Sequence, residues 1–244
     1  MTTQTDRAQR FTDRRIVVTG AAGGVGKSLC DLLRAEGARV LGTDVTPADG
    51  VVPADLADPT AVAGFVEDAL GELGGLDVLC NVAGVHAFAK LEDLSVEVLQ
   101  RHLTVNVQAP MLLTQGFLPA LTESRGNVVS VTSISAVMGQ PYNAAYCASK
   151  AGLLLMMRAL AVELAAKGIR VNCVSPGGID TAMPQQAAQQ LPPDVDWNLI
   201  AKSQSVIPGF MPPVDVAEAI AFLASDAAAS ITGANLVVDR GVVW

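Results

Sequence analysis

The sequence contains few of the residues that mark disulfide-bonded, metal-binding or nucleic-acid-binding proteins. Its 244 residues include four cysteines, two histidines and two tyrosines, and its 16 basic residues are outnumbered by 24 acidic ones. The cysteines form no CxxC pair and lie in apolar segments, so we expect small buried side chains rather than disulfides or a metal site. The formal charge of −8, with no cluster of Lys and Arg, argues against a nucleic-acid partner or an anionic membrane surface.

Long apolar runs and an export signal are also missing. The longest uninterrupted apolar stretch, Ala151 to Met157, is far shorter than the roughly 20 residues that span a bilayer. The first fifteen residues are rich in Asp and Arg and lack the apolar core of a signal peptide. We therefore predict a flexible tail over residues 1–13, no membrane partner and a cytoplasmic protein.

Half of the residues are apolar, and apolar runs alternate with amphipathic segments along the chain. Runs that predict buried strands lie at residues 15–19, 38–42, 76–80, 126–131, 169–174 and 234–239. Helix-like segments lie between them at about 24–36, 59–72, 96–121, 145–167 and 214–225. Strands that alternate with helices form parallel sheets covered on both faces, so we predict a doubly wound α/β fold and a single domain over 14–244.

Residues 182–212 differ from the rest of the chain. They are rich in proline and glutamine, which is more typical of a mobile insertion than of a framework helix. The segment follows the predicted strand 169–174, at the edge where open parallel sheets bind their ligands. We therefore predict a substrate lid here.

The first predicted strand ends in a glycine-rich turn that contains Gly20, Gly24 and Gly26 and leads into a helix. Glycine has no Cβ, so backbone N–H groups there can approach a pyrophosphate, which a helix N-terminus also attracts. The spacing departs from GxGxxG, and an ordinary strand-to-helix turn is the alternative. Asp44 ends the second strand, where a carboxylate accepts hydrogen bonds from an adenosine ribose. No Arg or Lys stands beside Asp44 to hold a 2′-phosphate, which favours NAD(H) over NADP(H).

Tyr146 and Lys150 are four residues apart on a predicted helix, so their side chains share one face. A nearby cation can lower the pKa of a phenol from about 10 towards neutrality at a partly desolvated site. A surface Tyr–Lys pair is the alternative, since this spacing occurs by chance in many helices. Ser133 follows the strand 126–131, where its hydroxyl can orient a substrate oxygen. Asn106 can join a water chain to Lys150, or it is a helix-surface amide.

Together these motifs resemble the short-chain dehydrogenase/reductase family over about residues 14 to 241. Further segments carry the resemblance, namely Asn81-Val-Ala-Gly84, Pro176-Gly-Gly-Ile-Asp-Thr181 and the strand within 231–239. The family has a Rossmann-like, doubly wound seven-stranded parallel sheet. The resemblance implies that Tyr146 is the general acid/base, that Lys150 lowers its pKa and that Ser133 positions the reacting oxygen. It also implies a proton relay supported by Asn106.

By the same resemblance, residues at turns and strand ends bind the dinucleotide. The pyrophosphate would lie at Gly20, Gly24, Val25 and Gly26, the adenine beside Asp55 and Leu56, the adenosine side at Asn81, Ala83 and Gly84, and the nicotinamide end at Pro176, Gly177, Ile179 and Thr181. The chain departs from the family at three places. Val82 stands where a second Asn is usual, Arg240 stands where Gly is common, and the interval from Asp44 to Asp55 leaves little room for a helix.

The resemblance implies an oxidoreductase that interconverts a secondary alcohol and a ketone. His86, Gln140 and Met183 are candidate substrate contacts, with ordinary packing as the alternative. The lid has no Arg cluster, so we favour a neutral alicyclic or hydroxysteroid-like substrate. A 3-oxoacyl-thioester reductase is the runner-up, a cyclic dihydrodiol dehydrogenase ranks lower, and a non-catalytic NAD(H) sensor is the rival of another class. Apolar surface on helices 96–121 and 145–167 predicts symmetric subunit packing, and the family suggests a homotetramer.

Overall fold

A computed structural model describes residues 9–189, 191–201 and 204–242. Seven strands form one parallel sheet in the order β3-β2-β1-β4-β5-β6-β7. In chain order they are β1 (Arg15–Thr19), β2 (Arg39–Asp44), β3 (Val51–Pro53), β4 (Val78–Asn81), β5 (Asn127–Val131), β6 (Arg170–Pro176) and β7 (Asn235–Val238). The doubly wound seven-stranded sheet is confirmed. The chain order reverses between β1 and β4, which opens a crevice at the carboxyl edge of the sheet.

Eight α-helices lie in the described residues. They are α1 (Gly24–Ala35), α2 (Pro59–Leu73), α3 (Val96–Leu103), α4 (Ala109–Ser124), α5 (Ala144–Leu164), α6 (Ala182–Ala188), α7 (Trp197–Ala201) and α8 (Pro213–Ala224). The interval from Asp44 to Asp55 holds the short strand β3 and no helix, as the short spacing predicted. β3 itself escaped the sequence analysis because three residues are too few to show a pattern.

Two apolar cores cover the two faces of the sheet. One contains buried side chains of α2, α4 and α5, including Phe65, Phe117 and Leu153. The other contains buried side chains of α1 and α8, including Leu29 and Ile220. Three of the four cysteines are buried and Cys147 is partly buried, and all four are free thiols. Strands covered on both faces carry the near-continuous apolar runs read from the sequence.

The prediction of a flexible tail is wrong for residues 10–13, which contact the rest of the protein. Phe11 is 1% exposed and belongs to the core under α1 and α8. Its backbone N–H donates to the Glu36 carbonyl at 3.1 Å, and the Arg10 guanidinium bonds the Glu36 carboxylate at 2.6 Å. One aromatic ring among charged residues gave too little apolar signal to overcome the polar composition. Residues 1–8 of the predicted tail lie outside the described residues.

The predicted helix 96–121 is interrupted. A π-helical turn, Thr104–Gln108, separates α3 from α4, and the Ala109 N–H bonds the Thr104 carbonyl five residues back. Proline has no N–H, so Pro110 cannot donate to the Asn106 carbonyl four residues before it. The i+5 bond accommodates this missing donor. Pro110 is therefore the sequence signal for the interruption, which places Asn106 at the bend.

The predicted lid contains the two short helices α6 and α7. The described part of the lid contacts the body of the protein at its two ends and in its middle. Met211 is 2% exposed and pairs with Ile179, so it packs in the core rather than lining an open pocket. In the middle, the Asp194 carboxylate bonds the Lys90 ammonium at 2.5 Å. Residues 190 and 202–203 of the predicted lid lie outside the described residues.

The helix α5 with its following turn, residues 144–167, is long and apolar enough by length and composition to cross a membrane. In the structure it packs against β6 and buries Leu153, Met157 and Leu164 in the core. It also carries Tyr146 and Lys150. The apolar composition of α5 is therefore explained by its packing in the core.

Candidate active site

The carboxyl ends of the parallel strands bring most of the predicted site residues to one edge of the sheet. The glycine turn after β1 is packed too tightly for side chains. A Cβ on Gly26 would lie 2.0 Å from the Gly20 carbonyl oxygen, and one on Gly20 would lie 2.9 Å from the Ala83 backbone. A Cβ on Gly24 would lie 2.5 Å from the Thr181 Cγ2 atom. The structure thus joins the turn to the segments after β4 and β6.

The N-terminus of α1 is open to an anionic ligand. Its N-cap residue, Gly23, makes no side-chain capping bond, and the first turn has no acidic residue. The free N–H groups of a first helical turn, with the helix dipole, suit a phosphate. In β4, which neighbours β1, the Asn81 Oδ1 atom is buried and has no hydrogen-bond partner among the described residues. These donors and this acceptor fit a dinucleotide laid along the sheet edge.

Asp44 lies at the end of β2, beside the glycine turn. Its Oδ2 atom accepts a 3.1 Å bond from the Ala22 N–H, and its Oδ1 atom accepts one of 2.9 Å from the Thr46 N–H. These two bonds fix the carboxylate next to the turn. After β3, Asp55 is exposed and accepts from the Ala57 N–H. Leu56 is 8% exposed and packs in the core.

The segment after β6 supplies the other side of the crevice. Pro176 ends the strand, and the Gly177 N–H donates to the Val238 carbonyl at 2.9 Å. The backbones of Ile179 and Met211 pair as an isolated bridge, which holds this segment against the end of the lid. Thr181, the N-cap residue of α6, meets the glycine turn as described above.

The Lys150 side chain is 3% exposed. Its Nζ atom donates to the Val131 carbonyl at 2.9 Å, and burial lowers the pKa of the ammonium to about 8. A Cβ on Gly84 would lie 3.3 Å from this Nζ atom, so glycine lets the main chain after β4 pass close to it. The two N–H groups of Nζ not bound to Val131 remain for a ligand at the sheet edge.

The phenol of Tyr146 lies in an aromatic enclosure. The ring centroid of His86 is 4.2 Å from that of Tyr146, and that of His102 is 6.1 Å away, edge on. Burial raises the pKa of Tyr146 to about 12, while its side-chain hydrogen bond with Ser133 acts in the opposite direction. The expectation that Lys150 lowers this pKa stays a prediction. The Lys150 ammonium is 5.8 Å from the ring centroid and bonds a carbonyl, so desolvation dominates.

Asn106 is fully buried at the π-helical turn. Its Oδ1 atom accepts from the Val85 N–H at 2.8 Å, and its Nδ2 atom donates to the Val85 carbonyl and the Ser149 hydroxyl, both at 3.0 Å. Both amide hydrogens are therefore used within the protein. The side chain ties the segment after β4 to α5, and its role in a proton relay stays a prediction.

The sequence analysis missed His102, although the chain has only two histidines and both pack on Tyr146. The His102 Nδ1 atom bonds the Val98 carbonyl at 2.8 Å and its Nε2 atom accepts from the Ala87 N–H at 3.2 Å. Burial lowers the pKa of both imidazoles. Its spacing of four residues from Asn106, on one helix face, was the available signal.

Two of the three candidate substrate residues lie at this site. His86 stacks on Tyr146, and Gln140 borders a cavity of about 360 Å³ whose lining is Ala89, Lys90, Leu91, Glu92, Gln140, Tyr142 and Ala144. Met183 is 39% exposed on α6 and is not part of this group. Across the described ranges, no cluster of three or more His, Cys, Asp or Glu side chains could hold a metal ion.

Replacing Lys150 with Met should stabilise the protein at pH 7 by about 1–3 kcal/mol, because the buried ammonium is destabilising there. Folded Lys150 loses its proton near pH 8 and the unfolded side chain near pH 10.5. The gain should therefore shrink as the pH rises from 8 to 10.5. Urea unfolding at pH 7 and pH 10 measures it. Lys27→Met, at a side chain that is 67% exposed, is the matched control, and equal effects at both pH values would contradict the prediction.

The chain is similar to known proteins over most of its length. A family model described as enoyl-(acyl carrier protein) reductase matches residues 20–243. The chain is 38% identical to a cis-4-hydroxycyclohexanecarboxylate dehydrogenase from Sinomonas cyclohexanicum, covering 96% of this chain and 98% of that protein. It is 32% identical to a D-threitol dehydrogenase from Mycolicibacterium smegmatis, covering 95% and 94%.

The fold has solved counterparts. The crystal structure of a short-chain dehydrogenase from Burkholderia cenocepacia J2315 in complex with NADP superposes with a TM-score of 0.84, at 32% identity over 96% of this chain and 99% of that one. The residues that the family model matches include the glycine turn and the helix that carries Tyr146 and Lys150. The chain therefore belongs to the short-chain dehydrogenase/reductase family and is an oxidoreductase that acts on CH–OH groups.

Proposed function

We propose that the protein is an NAD(H)-dependent dehydrogenase that interconverts an alicyclic secondary alcohol and its ketone, with Tyr146 as general acid/base. One observation carries the proposal. Ser133, Tyr146 and Lys150 meet at the carboxyl edge of the sheet, next to an open helix N-terminus that suits a pyrophosphate. A sensor that binds a dinucleotide without turnover has no need of this acid/base set.

A nicotinamide dinucleotide, when bound, would supply the hydride acceptor or donor. The chain's own residues would hold it. Backbone N–H groups at the start of α1 would bind the pyrophosphate, Asp44 the adenosine ribose hydroxyls, and the unused N–H groups of Lys150 the nicotinamide ribose. The carboxylate of Asp44 would repel a 2′-phosphate, which supports NAD(H) over NADP(H).

The proton transfer belongs to Tyr146. With a pKa near 12, its phenol is neutral at pH 7 and can donate a proton to the carbonyl oxygen of a ketone. Alcohol oxidation needs the reverse transfer, so Tyr146 must first lose its proton. The positive charge of Lys150, 5.8 Å from the ring, favours the phenolate over the phenol. Oxidation should therefore quicken as the pH rises, whereas reduction proceeds at neutral pH.

The walls of the site support an alicyclic substrate. His86 and Phe88 stack with their ring centroids 4.6 Å apart, and His86 covers one side of Tyr146. Aromatic and apolar walls suit the carbon ring of an alicyclic alcohol. The relative that acts on a hydroxycyclohexanecarboxylate supports the same class.

Tyr146→Phe should lower turnover by at least about a thousandfold, because the proton donor is lost while the ring and its packing remain. NADH binding, followed by fluorescence, should persist. The activity panel contains cyclohexanol, cyclohexanone, a hydroxysteroid and a 3-oxoacyl thioester, assayed with NAD+ and NADH. Thr122→Val, which removes a hydroxyl near the end of α4, outside the candidate site, is the control. Undiminished activity in Tyr146→Phe would contradict the role of Tyr146, and a marked preference for the thioester would replace the alicyclic substrate.

Asp44→Ala should erase a preference for NAD+ over NADP+ of several fold, since the carboxylate that binds the ribose and repels the phosphate is gone. Initial rates at varied cofactor concentration give kcat/KM for each dinucleotide. Asp49→Ala, at an exposed position in the same connection, should keep the preference of the wild type. A wild-type protein that prefers NADP+ would contradict the assignment of NAD(H) as the preferred cofactor.

We also propose that the subunits associate through α4 and α5 into a homotetramer. Met111, Leu155 and Val162 are 41%, 68% and 80% exposed on these two helices, and apolar surface of this kind is usually covered in an oligomer. Light scattering should give a mass four times that of the chain, and Val162→Glu should reduce it. Leu91→Glu, at a leucine that is 84% exposed outside both helices, should leave it unchanged. A monomeric wild type would refute the proposal.

A further inference from the structure

Every second backbone N–H group from residue 85 to residue 89, in the segment after β4, is bonded to a group outside that segment. The N–H groups of Val85, Ala87 and Ala89 donate in turn to the Asn106 amide oxygen at 2.8 Å, the His102 Nε2 atom at 3.2 Å and the Tyr142 carbonyl at 2.9 Å. The two outer acceptors are amide oxygens, which accept hydrogen bonds at any physiological pH. The middle acceptor is an imidazole nitrogen, which cannot accept once it is protonated. The middle bond therefore depends on the protonation state of His102.

The two partners of His102 fix its neutral tautomer. The Val98 carbonyl can only accept, so the 2.8 Å bond to it requires a proton on Nδ1. The Ala87 N–H can only donate, so Nε2 must present its lone pair. Both partners are main-chain groups, whose donor and acceptor roles cannot be exchanged by rotation. His102 is 2% exposed, so water has little access to replace either bond.

Protonation of His102 would remove the bond to Ala87. An imidazolium carries a proton on each nitrogen, so its Nε2–H group would face the Ala87 N–H group. Two donors then point at each other in a buried place, and neither has an acceptor. The middle of the segment would have to move away from α3.

The bond from Ala87 to His102 lies between two aromatic rings of the site. His86 precedes Ala87 and Phe88 follows it, and their ring centroids are 4.6 Å apart. The His86 ring lies 4.2 Å from that of Tyr146. The far end of the His86 ring is held separately, because its Nε2 atom bonds the Asn143 Oδ1 atom at 2.7 Å. The main chain that joins the two rings is held by His102.

We propose that neutral His102 is a positioning residue that holds the wall formed by His86 and Phe88 beside Tyr146, and that its protonation loosens this wall and weakens substrate binding. The effect on substrate rests on the proposed function, whereas the position of the wall does not. His102 acts through the Ala87 main chain and takes no part in the proton transfer of Tyr146.

The charged and titratable groups around His102 keep it neutral at pH 7. Tyr146 and Lys150 face it from α5, His86 from the segment after β4, and Arg101 is its neighbour on α3. Burial lowers the pKa of His102 from its ordinary value of 6.5, a bond to a main-chain carbonyl opposes this, and the charges of Lys150 and Arg101 lower the pKa further. The folded protein therefore takes up this proton at a lower pH than the unfolded chain does. The wall should be in place at neutral pH and loosen in acid.

The kinetic test compares His102→Gln and His102→Met with the wild type. A glutamine oxygen can accept the Ala87 N–H and does not titrate, whereas methionine fills a similar volume without a comparable acceptor. The wild-type KM for cyclohexanone, with NADH, should rise roughly tenfold between about pH 7.5 and pH 5, the effect of one lost buried hydrogen bond. His102→Gln should keep the low KM at both pH values, and His102→Met should show the high KM at both.

The turnover number separates this role from a change in chemistry. Tyr146 has a pKa of about 12 and stays protonated over this range, so kcat should change little in any variant. His86 is present in all of them, so a flat profile in His102→Gln assigns the wild-type pH dependence to His102. Gln100→Met, at an exposed position of α3, is the control and should follow the wild type. Circular dichroism checks that each variant is folded.

A second readout needs no substrate. The chain has two histidines, so labelling histidine with nitrogen-15 gives two imidazole signals in nuclear magnetic resonance, and His102→Gln assigns them. At about pH 7.5, above the ordinary histidine pKa, His102 should be neutral with its proton on Nδ1. The ring protons of His86 should be shifted upfield by the stacked Tyr146 ring. This shift should shrink in His102→Met and persist in His102→Gln.

A His102 ring with its proton on Nε2 at neutral pH would overturn the inference, and so would a His86 shift that is equal in His102→Met and the wild type. If Tyr146→Phe is inactive but His102→Met keeps the wild-type KM, the positioning role fails and the proposed function stands. If Tyr146→Phe keeps its turnover, the proposed function fails, and the ring signals still decide whether His102 holds His86.

Discussion

The burial of the Lys150 ammonium is the constraint on which the rest of the site depends. A cation taken out of water is costly unless acceptors replace the lost solvent, and here the Val131 carbonyl is one of them. A Cβ on Gly84 would lie only 3.3 Å from the Nζ atom, so the glycine leaves room for the ammonium beside this part of the main chain. The segment after β4 is in turn held by both polar atoms of the Asn106 amide. Val131 at the end of β5, Gly84 and the amide of Asn106 thus together hold the charged Lys150 side chain in place.

The same support explains the irregular helix beside it. Asn106 reaches the segment after β4 because the chain bends at a π-helical turn, and the bend follows from the missing N–H of Pro110. A regular α-helix over 96–121 would have bonded each backbone carbonyl to the N–H four residues later. Instead, Pro110 in the first turn of α4 has no N–H to continue the regular bonding, and Asn106, in the π-helical turn just before it, uses its side-chain amide to bond the segment after β4. The position of Asn106 at the site therefore depends on a local departure from regular helical geometry.

Much of the fold and the identity of the central residues could be predicted from the sequence, because they depend on local patterns. The β-branched run of β1 and the glycines after it are such patterns, and so is the four-residue spacing of Tyr146 and Lys150. What failed depends on tertiary burial. Phe11 was misplaced because its partners lie on α1 and α8, and the burial that raises the pKa of Tyr146 cannot be predicted from its spacing to a cation. The bond between Asn143 and His86 joins residues 57 positions apart, which no local pattern reveals.

The arrangement sets two opposing influences on one phenol. The cation of Lys150 and the hydrogen bond with Ser133 favour the phenolate, whereas burial favours the phenol. Neither can alter the equilibrium between alcohol and ketone, which is a property of the reactants. They change the pH range in which Tyr146 has the protonation state that each direction requires. Oxidation requires the phenolate, and reduction requires the phenol. The extent to which Tyr146 is buried therefore decides at which pH this one acid/base group serves each direction of the reaction.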